Sequence, residues 1–153
     1  MRMPVPERLG GDFKQVVDDL MTAKQAAVKP AGLTVPQYST LLFLVDNPGI
    51  SAAALARMCR VTPQTMTTIL HNLEAAGLIV RTPHPWHRNM LETRLTEAGQ
   101  AAFDVADRRA VSVERRLAAG FSDEELALLR SLLARASTIL TDETPAWETE
   151  FAD

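Results

Sequence analysis

The sequence predicts a mainly α-helical fold with about six helices and one small β-wing. Apolar residues recur at three- and four-residue spacing over most of the 153 residues. Two short helix patterns within residues 51–76 are separated by only two residues. Two short strand patterns, 78–81 and 91–95, then flank a polar loop that contains prolines. This order is typical of a winged helix-turn-helix, which we expect within residues 34–96.

Composition describes one globular domain over residues 1–153. The hydrophobic fraction is 46%, which is ordinary for a chain that can bury a core. No apolar run approaches the roughly 18 residues of a membrane span, and the N-terminus lacks a charged-then-apolar signal segment. We therefore expect a cytoplasmic protein without a membrane partner. The single cysteine, Cys59, excludes an intrachain disulfide.

Charge is unevenly distributed along the chain. The whole chain carries a net charge of −3, whereas residues 51–95 contain five arginines and two glutamates, a net +3, so the remainder carries −6. A basic segment within an acidic chain indicates where phosphate groups bind. Charge therefore supports double-stranded DNA as the partner of this segment.

The first two helices are predicted from periodicity and capping. Residues 7–30 have a helical pattern whose marked side is Leu9, Phe13, Val16, Val17, Leu20, Met21 and Lys24. A Thr-x-x-Gln capping box at Thr34 and Gln37 begins a second helix, which runs to Asp46. Its buried side is expected to be Tyr38, Leu41, Leu42 and Val45. Ile50 is expected to add a short third strand beside the wing.

The helix that begins after Thr62 is predicted to read DNA. Thr62 stands where an N-cap is needed, Pro63 occupies the first helical position, and Gly77 ends the helix. The inward positions are Met66, Ile69, Leu70 and Leu73. The outward positions carry amide, hydroxyl and imidazole groups, which suit hydrogen bonding to base edges: Gln64, Thr67, Thr68, His71 and Asn72. Upstream, Ser51 caps a short helix with Ala54, Leu55 and Met58 on its apolar side, so the two helices should cross steeply.

Contacts to DNA are predicted from these positions. The residues expected to contact bases are Gln64, Thr67, Thr68 and His71, and those expected nearer to phosphates are Ser51, Thr62 and Thr65. For Thr65 a half-buried structural role is an equal alternative, and for Ser51 the alternative is capping alone. The side chains on this surface thus divide into base-reading and phosphate-positioning groups.

The loop Thr82–Asn89 is predicted to be the wing. Arg88 is the first candidate for contact with the minor groove or a phosphate, and His84, His87 and Asn89 are the next candidates. Pro83 and Pro85 should stiffen the loop and lower the entropy that is lost on docking. Trp86 is expected to pack over the base of the wing, and contact with a DNA sugar is the alternative.

The last two helices are predicted to form a dimer interface together with the first. Thr96 should cap a helix that runs to about Ala119 and packs through Ala98, Ala101, Ala102, Val105 and Leu117, with Phe103 offset. Ser122 and Glu125 form a capping box for the last helix, whose apolar face is Leu126, Leu129, Leu132, Leu133, Ala136, Ile139 and Leu140. Segments 7–30 and 97–141 have no sheet to cover, so we expect them to pair with a second copy in a two-fold homodimer. The alternative is that the stripes cover one another within one chain.

Four segments carry a resemblance to a known family. They are Gly32–Tyr38 (GLTVPQY), Val61-Thr62, Leu73–Arg81 (LEAAGLIVR) and Leu95–Gly99 (LTEAG). In this order and spacing they resemble the MarR family of bacterial transcriptional regulators. The resemblance implies a homodimeric winged helix-turn-helix repressor that binds a pseudo-palindromic operator through two successive major grooves. It implies no enzymatic activity.

The chain departs from the family pattern at two positions. The family usually has arginine where this chain has Thr68, and it usually has Asp-x-Arg in the wing, where this chain has His87-Arg88-Asn89. The family's wing arginine enters the minor groove. Arg88, one position earlier, is expected to substitute for it.

The resemblance also implies a small aromatic or anionic effector that releases the DNA. The matching surface would involve Phe13, Val17, Tyr38 and Leu42, with the Tyr38 hydroxyl as the polar group of an apolar pocket. Simple core packing is the alternative for these four residues. A ligand acts only if it prefers one spacing of the two recognition helices over another.

Other functions have weaker support in the sequence. No glycine-rich phosphate loop, nucleophile elbow or paired catalytic carboxylates occur, so neither catalysis nor a cofactor is predicted. His84-x-x-His87 with Cys59 or His71 has zinc-like spacing but no third acidic or thiol ligand nearby in sequence, and no metal site is predicted. The alternatives to a repressor are a sensor that responds through Cys59 or a metal, and a winged-helix interaction module that no longer binds DNA.

Overall fold

The computed structural model describes residue 4, residues 7–87 and residues 89–141. In this part of the chain six α-helices and one β-hairpin occur, as predicted. In chain order the elements are α1 (Leu9–Val28), α2 (Val35–Asp46), α3 (Ala52–Met58), α4 (Pro63–Ala75), β1 (Ile79–Pro83), β2 (Leu91–Leu95), α5 (Glu97–Ala118) and α6 (Asp123–Thr141). A 3-10 turn, Lys29–Ala31, follows α1. None of these helices is both long enough and apolar enough to span a membrane.

The chain divides into two compact units, Met1–Val113 and Glu114–Asp153. The core of the first unit is formed by side chains from α2, α3, α4 and the first half of α5, and its largest fully buried apolar members are Leu41, Leu44, Leu55, Met66, Leu70 and Leu73. The second unit contains the end of α5 and all of α6, and α6 has no buried residue. The boundary falls within α5, which is continuous across it.

The predicted N-caps are confirmed. The Thr34 and Gln37 side chains form the complete capping box of α2. The hydroxyls of three further N-cap residues each accept a backbone N–H of the first turn: Ser51 from Ala54, Thr62 from Thr65, and Thr96 from Gly99. Ser122 and Glu125 bond each other's backbone N–H at the start of α6. These bonds satisfy donors that a helix leaves unpaired at its N-terminus.

Some predicted boundaries and burial patterns are wrong. α1 begins at Leu9 rather than Glu7, and β1 continues through Thr82 and Pro83 into the predicted wing loop. Pro83 is tolerated because it lies at the end of the strand, opposite Leu91, where its missing N–H removes no interior ladder bond. In α2 the buried residues include Thr40 and Leu44, whereas Leu42 and Val45 are half-buried.

The buried side of α5 is also different from the prediction. Its buried residues are Gly99, Phe103, Ala106 and Ala110. Ala98, Ala101, Val105 and Leu117, which were expected to pack, are exposed, and Ala102 is half-buried. The Phe103 ring stacks on the Tyr38 ring with centroids 6.0 Å apart. A glycine and two alanines form most of this buried side. The hydrophobic periodicity of the sequence is therefore too weak to predict which side of α5 is buried.

The two strands pair antiparallel, from Ile79 opposite Leu95 to Pro83 opposite Leu91. The predicted third strand at Ile50 does not form. Instead, a single backbone bridge joins the loop after α2 to β2: Gly49 N–H donates to the Thr93 carbonyl over 2.9 Å, and Thr93 N–H donates to the Ile50 carbonyl over 3.2 Å. The loop therefore lies at the edge of the hairpin without continuing as a strand.

The start of α5 is fixed against the base of the hairpin. Thr96 N–H donates to the Leu78 carbonyl over 3.1 Å, and the Thr96 hydroxyl donates to the Gly77 carbonyl over 2.7 Å. Gly99 packs so closely that a Cβ at this position would overlap the Leu78 carbonyl oxygen and crowd the Leu95 side chain. Only glycine permits this approach, because any larger residue meets backbone that cannot rotate away.

A buried hydroxyl lacks a partner in β2. Thr93 is fully buried, and its Oγ1 makes no hydrogen bond with any group among the described residues. Thr40 is also fully buried, but its hydroxyl donates to the Pro36 carbonyl over 2.9 Å. An unsatisfied buried hydroxyl costs about 1–3 kcal/mol. These two threonines therefore differ in what their hydroxyls contribute to stability.

We predict that Thr93→Val raises the free energy of unfolding by about 1 kcal/mol, because valine keeps the shape of threonine and removes the unpaired hydroxyl. Urea denaturation measures the change. Thr40→Val is the matched control, and it should not stabilise the protein because it removes a satisfied hydrogen bond. Equal effects of the two substitutions would contradict the assignment of Thr93 as unpaired.

We predict that Gly99→Ala lowers the free energy of unfolding by about 3 kcal/mol, because the added methyl group forces α5 away from the Leu78 carbonyl. Thermal and urea denaturation provide the measurement. Gly11→Ala is the control, because Gly11 lies in α1 with no atom within 4 Å of a built Cβ. That change should be neutral or stabilise by up to about 1 kcal/mol, the difference in helix propensity. A neutral Gly99→Ala would rule out the close approach.

Candidate nucleic-acid interface

Helix α4 has one buried side and one exposed side, as the sequence predicted. Its buried residues are Met66, Ile69, Leu70 and Leu73. Its exposed side presents Gln64, Thr67, Thr68, His71 and Asn72 to solvent. α4 packs on α2, α3 and β1, so the helix is supported along its buried side. The exposed side is an uncharged hydrogen-bonding surface on a fixed helix.

Both ends of α4 are defined by capping. At its C-terminus Gly77 has a φ of +70°, Gly77 N–H donates to the Glu74 carbonyl, and Leu78 N–H donates to the Leu73 carbonyl. This is a Schellman motif, in which glycine takes the left-handed conformation at no steric cost. Pro63 follows the N-cap and supplies the fixed φ of a first helical residue. The helix is therefore limited to the 13 residues Pro63–Ala75.

An ion pair joins α4 to the hairpin. The Arg81 guanidinium donates two hydrogen bonds, of 3.1 Å and 2.8 Å, to one carboxylate oxygen of Glu74. The hydrogen bond from Arg81 lowers the pKa of Glu74 below its ordinary value of 4.5. Because this pKa is lowered on folding, the contribution to stability is present above about pH 4.5 and is lost as the pH falls through the lowered value. At neutral pH the pair holds β1 to the last turn of the recognition helix.

The hydroxyls of Thr67 and Thr68 are partly used within the helix. Thr67 donates to the Pro63 carbonyl over 2.9 Å and Thr68 donates to the Gln64 carbonyl over 3.2 Å. In this arrangement each hydroxyl oxygen keeps lone pairs for accepting, while its hydrogen is engaged. These side chains can then accept from an amino group of adenine or cytosine and can contact a thymine methyl group. Gln64 and His71 supply donors on the same surface.

The phosphate candidates lie at helix N-termini. The hydroxyls of Thr62 and Thr65 are 2.8 Å apart, and Thr62 also accepts from Thr65 N–H over 3.1 Å. Thr65 is exposed, so the half-buried alternative is wrong. Ser51 is half-buried and its hydroxyl accepts from Ala54 N–H over 3.3 Å. Capping is therefore confirmed for Ser51 and Thr62, and their contact with phosphate stays a prediction.

The turn between α3 and α4 places two arginines at the surface. Arg60 has a φ of +54°, and the bonds Arg60 N–H to the Arg57 carbonyl and Val61 N–H to the Ala56 carbonyl form a second Schellman motif. Arg57 and Arg60 are both exposed. Both arginines belong to the basic segment, although neither was among the residues predicted to contact DNA. Because both arginines are exposed beside the turn of the helix-turn-helix, they are further candidates for contact with DNA.

The wing is held by bonds within itself. His84 N–H donates to the Met90 carbonyl and Met90 N–H donates to the His87 carbonyl, each over 2.8 Å. The His84 ring accepts from Trp86 N–H at Nδ1 over 3.2 Å, and its Nε2 lies 3.6 Å from a Glu92 carboxylate oxygen. His84 is thus half-buried and directed towards the wing's own groups. This position makes it a weaker candidate for DNA contact than the sequence predicted.

The other wing residues are more accessible. His87 and Asn89 are exposed, whereas Arg88 lies outside the described residues. Trp86 is 85% exposed, so the prediction that it packs over the base of the wing is wrong. The backbone bond from His84 N–H to the Met90 carbonyl closes the turn, and the Trp86 backbone N–H donates to His84 Nδ1 while the indole faces solvent. Contact of Trp86 with a DNA sugar therefore remains open.

Cys59 is half-buried at the end of α3, and its Sγ lies 3.9 Å from the Thr40 hydroxyl. Burial raises the pKa of the thiol above its ordinary value of 9.0. A raised pKa disfavours the thiolate, which is the form that reacts with oxidants. Within the described residues, no three histidine, cysteine, aspartate or glutamate side chains are grouped as a metal ion requires. Burial of Cys59 thus disfavours a sensor that responds through this thiol.

The predicted effector residues have different environments. Phe13 and Val17 are exposed on α1, Leu42 is half-buried, and Tyr38 is buried with its hydroxyl donating to Asp107 over 2.8 Å. An open groove of about 600 Å³ on the same unit is lined by other residues, namely Met21, Thr22, Gln25, Ala26, Lys29, Val35 and Pro36. The effector assignment of the four residues stays a prediction.

The fold and this surface define the protein as a winged helix-turn-helix protein. The family model described as the MarR family matches residues 31–88. The HTH-type transcriptional repressor Rv2887 of Mycobacterium tuberculosis is 43% identical over 76 residues, which are 50% of this chain and 55% of that protein. The chain thus spans about half the length of this curated relative. The homoprotocatechuate degradative operon repressor of Escherichia coli is 30% identical over 122 residues, 74% of this chain and 82% of that protein.

Solved structures give the same result. The transcriptional repressor CouR bound to a 23-mer DNA duplex is 28% identical, with a TM-score of 0.80 over 90% of this chain and 99% of that chain. The Mycobacterium tuberculosis MarR family protein Rv2887 in complex with p-aminosalicylic acid is 32% identical, with a TM-score of 0.65 over 85% of this chain and 98% of that chain. The chain belongs to the MarR family.

We predict that Arg60→Gly raises the free energy of unfolding by about 0.5–1 kcal/mol. Glycine removes the steric cost of holding a residue with a side chain in the left-handed conformation. This gain in stability exceeds the loss that comes from the greater conformational entropy of glycine in the unfolded chain. Arg57→Gly is the matched control, because it removes the same charge from a helical position and should destabilise by about 1 kcal/mol. Urea denaturation compares the two. A loss of stability in both variants would contradict the left-handed conformation of Arg60.

Proposed function

We propose that this protein is a sequence-specific DNA-binding transcriptional repressor that acts as a homodimer on a pseudo-palindromic operator. The observation that carries the proposal is the two-sided helix α4, which buries four apolar residues and exposes only uncharged hydrogen-bonding groups along its middle turns. The solvent-exposed side of a helix that binds no partner normally carries charged residues. The similarity to the structure of CouR bound to DNA supports the proposal that α4 binds DNA.

In this proposal the interface divides into two kinds of contact. Gln64, Thr67, Thr68 and His71 read base edges in the major groove, and Gln64 pairs with an adenine through its amide. Arg57 and Arg60, with the helix N-termini at Ser51 and Thr62, bind phosphates and fix the register. His87, Arg88 and Asn89 follow the adjacent groove from the wing. Thr65, whose hydroxyl bonds that of Thr62, lies near the same phosphate. His84 contributes mainly to local structure.

Homodimerisation is proposed from uncovered apolar surface. On α1 the exposed apolar residues are Leu9, Phe13, Val16, Val17 and Met21, and on α6 they are Leu128, Leu129, Leu132, Leu133, Ile139 and Leu140. Stripes of this extent are rare on monomers and mark interaction sites. A second copy covers them with matching stripes, and two-fold symmetry then presents two recognition helices to successive major grooves. The tail residues Trp147 and Phe151 lie outside the described residues.

A small aromatic or anionic molecule is proposed to release the DNA in the cytoplasm. The likeness to the Mycobacterium tuberculosis family member in complex with p-aminosalicylic acid supports this chemical class. Such an effector binds more tightly to the conformation of the dimer in which the spacing of the two recognition helices does not match the operator, and it thereby favours that conformation. No cofactor takes part, and the protein acts by binding rather than by catalysis.

We predict that the wild type binds its own upstream intergenic DNA tightly, with log affinity falling linearly with log salt concentration. Arg88→Ala should flatten that slope by about one unit if Arg88 contacts a phosphate, and Gln64→Ala should relax preference at one base pair of each half-site. Fluorescence anisotropy over a salt series, with single-base operator variants, measures both effects.

Gln100→Ala is the control, because Gln100 is an exposed glutamine of α5 whose amide donates to Asp104 on the same helix. It should leave both sequence preference and salt slope unchanged. Failure of the wild type to bind either the intergenic fragment or a pool of genomic DNA at low salt would overturn the proposal. In that case an interaction module that uses the same helices to hold a protein would be favoured.

A further inference from the structure

Tyr38 connects α2 to α5 in the core of the first unit. It is 6% exposed, and its ring stacks on Phe103 with an interplanar angle of 10°. Its hydroxyl donates to Asp107 Oδ1 over 2.8 Å. Phe103 and Asp107 are four residues apart on α5 and therefore lie on the same side of that helix. One side chain of α2 thus contacts α5 twice, once through an apolar surface and once through a directed hydrogen bond.

The Tyr38 contacts lie between other fixed points on α5. At its start, Gly99 is packed against the Leu78 carbonyl at the base of the hairpin. Further along, the Arg109 side chain donates to the Ala27 carbonyl at the end of α1 over 3.0 Å. No residue of α5 beyond Ala110 is buried. Along α5 from its N-terminus, the hydrogen bond to Asp107 is therefore one of the last side-chain contacts with the part of the chain that carries α4.

The direction of α5 matters because the helix is long. Within the first unit α5 continues for ten residues beyond Phe103, to Val113, which corresponds to about 15 Å. A tilt of about 5° at Phe103 moves Val113 by about 1.3 Å. In a two-fold dimer the same tilt occurs in both copies, so it changes the separation of the two recognition helices.

We propose that the hydrogen bond from Tyr38 to Asp107 is a positioning contact that fixes the direction of α5 relative to α4 and thereby sets the half-site spacing that the dimer accepts. This inference rests on the proposed function as a dimeric DNA-binding protein. It assigns no DNA contact to either residue. Stacking on Phe103 holds the ring in place, and the directed bond to the carboxylate restricts rotation of α5 about that contact.

The test compares operators of different spacing. A duplex selected by the wild type from a random 40-base-pair library is prepared with its native centre and with one base pair inserted or deleted at the centre. Tyr38→Phe keeps the stacked ring and removes only the hydroxyl. We expect about a tenfold weaker affinity for the native spacing and a smaller difference between the three spacings, with base preference inside each half-site unchanged.

Two further variants separate positioning from general stability. Asp107→Asn keeps an acceptor oxygen for the Tyr38 hydroxyl and should retain the wild-type spacing preference, whereas Asp107→Ala should behave as Tyr38→Phe. Asp104→Ala is the matched control, because it removes an exposed carboxylate of α5 that accepts a hydrogen bond from Gln100 on the same helix. It should retain wild-type spacing preference. Sedimentation velocity checks that every variant is a dimer.

Each outcome has a defined meaning. Unchanged spacing discrimination in both Tyr38→Phe and Asp107→Ala would overturn the positioning role while leaving the proposed function intact. Loss of the dimer in both variants would assign the contact to assembly and would also overturn it. If the wild type selects no duplex from the library, the proposed function and this inference fail together.

Discussion

Burial of one side of α4 is the constraint on which the DNA-reading surface depends. Met66, Ile69, Leu70 and Leu73 pack into a core built with α2 and α3. Each such side chain contributes about 1.5–3 kcal/mol when it is fully buried. Rotating the helix by one residue would expose these groups and bury Gln64 or Thr67. The hydrophobic core therefore determines which hydrogen-bonding groups point towards a ligand, even though none of the core residues contacts it.

The remaining elements of the first unit hold this helix at fixed positions. The Thr62 cap and the Gly77 Schellman motif set its ends, and the Glu74–Arg81 ion pair attaches its last turn to β1. The base of the hairpin is in turn attached to α5 through Gly99 and Thr96. These contacts form a continuous connection from the recognition helix to α5. In the proposed homodimer, a rigid connection of this kind lets the arrangement of the two subunits select one operator spacing.

Helices α1 and α6 have a different physical character. α6 has a regular apolar side, yet none of its residues is buried, and α1, in the first unit, has one buried residue, Val28. In the proposed homodimer, the second copy supplies the packing energy for these apolar sides. For such a protein, stability depends on protomer concentration, since dimerisation contributes to the free energy of folding. Measurements of unfolding for the variants above are therefore meaningful at one fixed concentration.

The sequence by itself determined the features that local chemistry controls. The N-caps, the end of α4 at Gly77 and the two sides of α4 were predictable, because each depends on residue types within a few positions or on a strong 3.6-residue pattern. The family was also recognisable from four short segments.

The tertiary structure decided the rest. It set the phase of α5, whose stripe of small residues has little hydrophobic signal, and it paired Tyr38 with Asp107, 69 positions away. It also extended β1 through Pro83, left Trp86 exposed, and gave Arg60 a left-handed conformation. These outcomes depend on which distant groups meet, and neither periodicity nor capping contains that information.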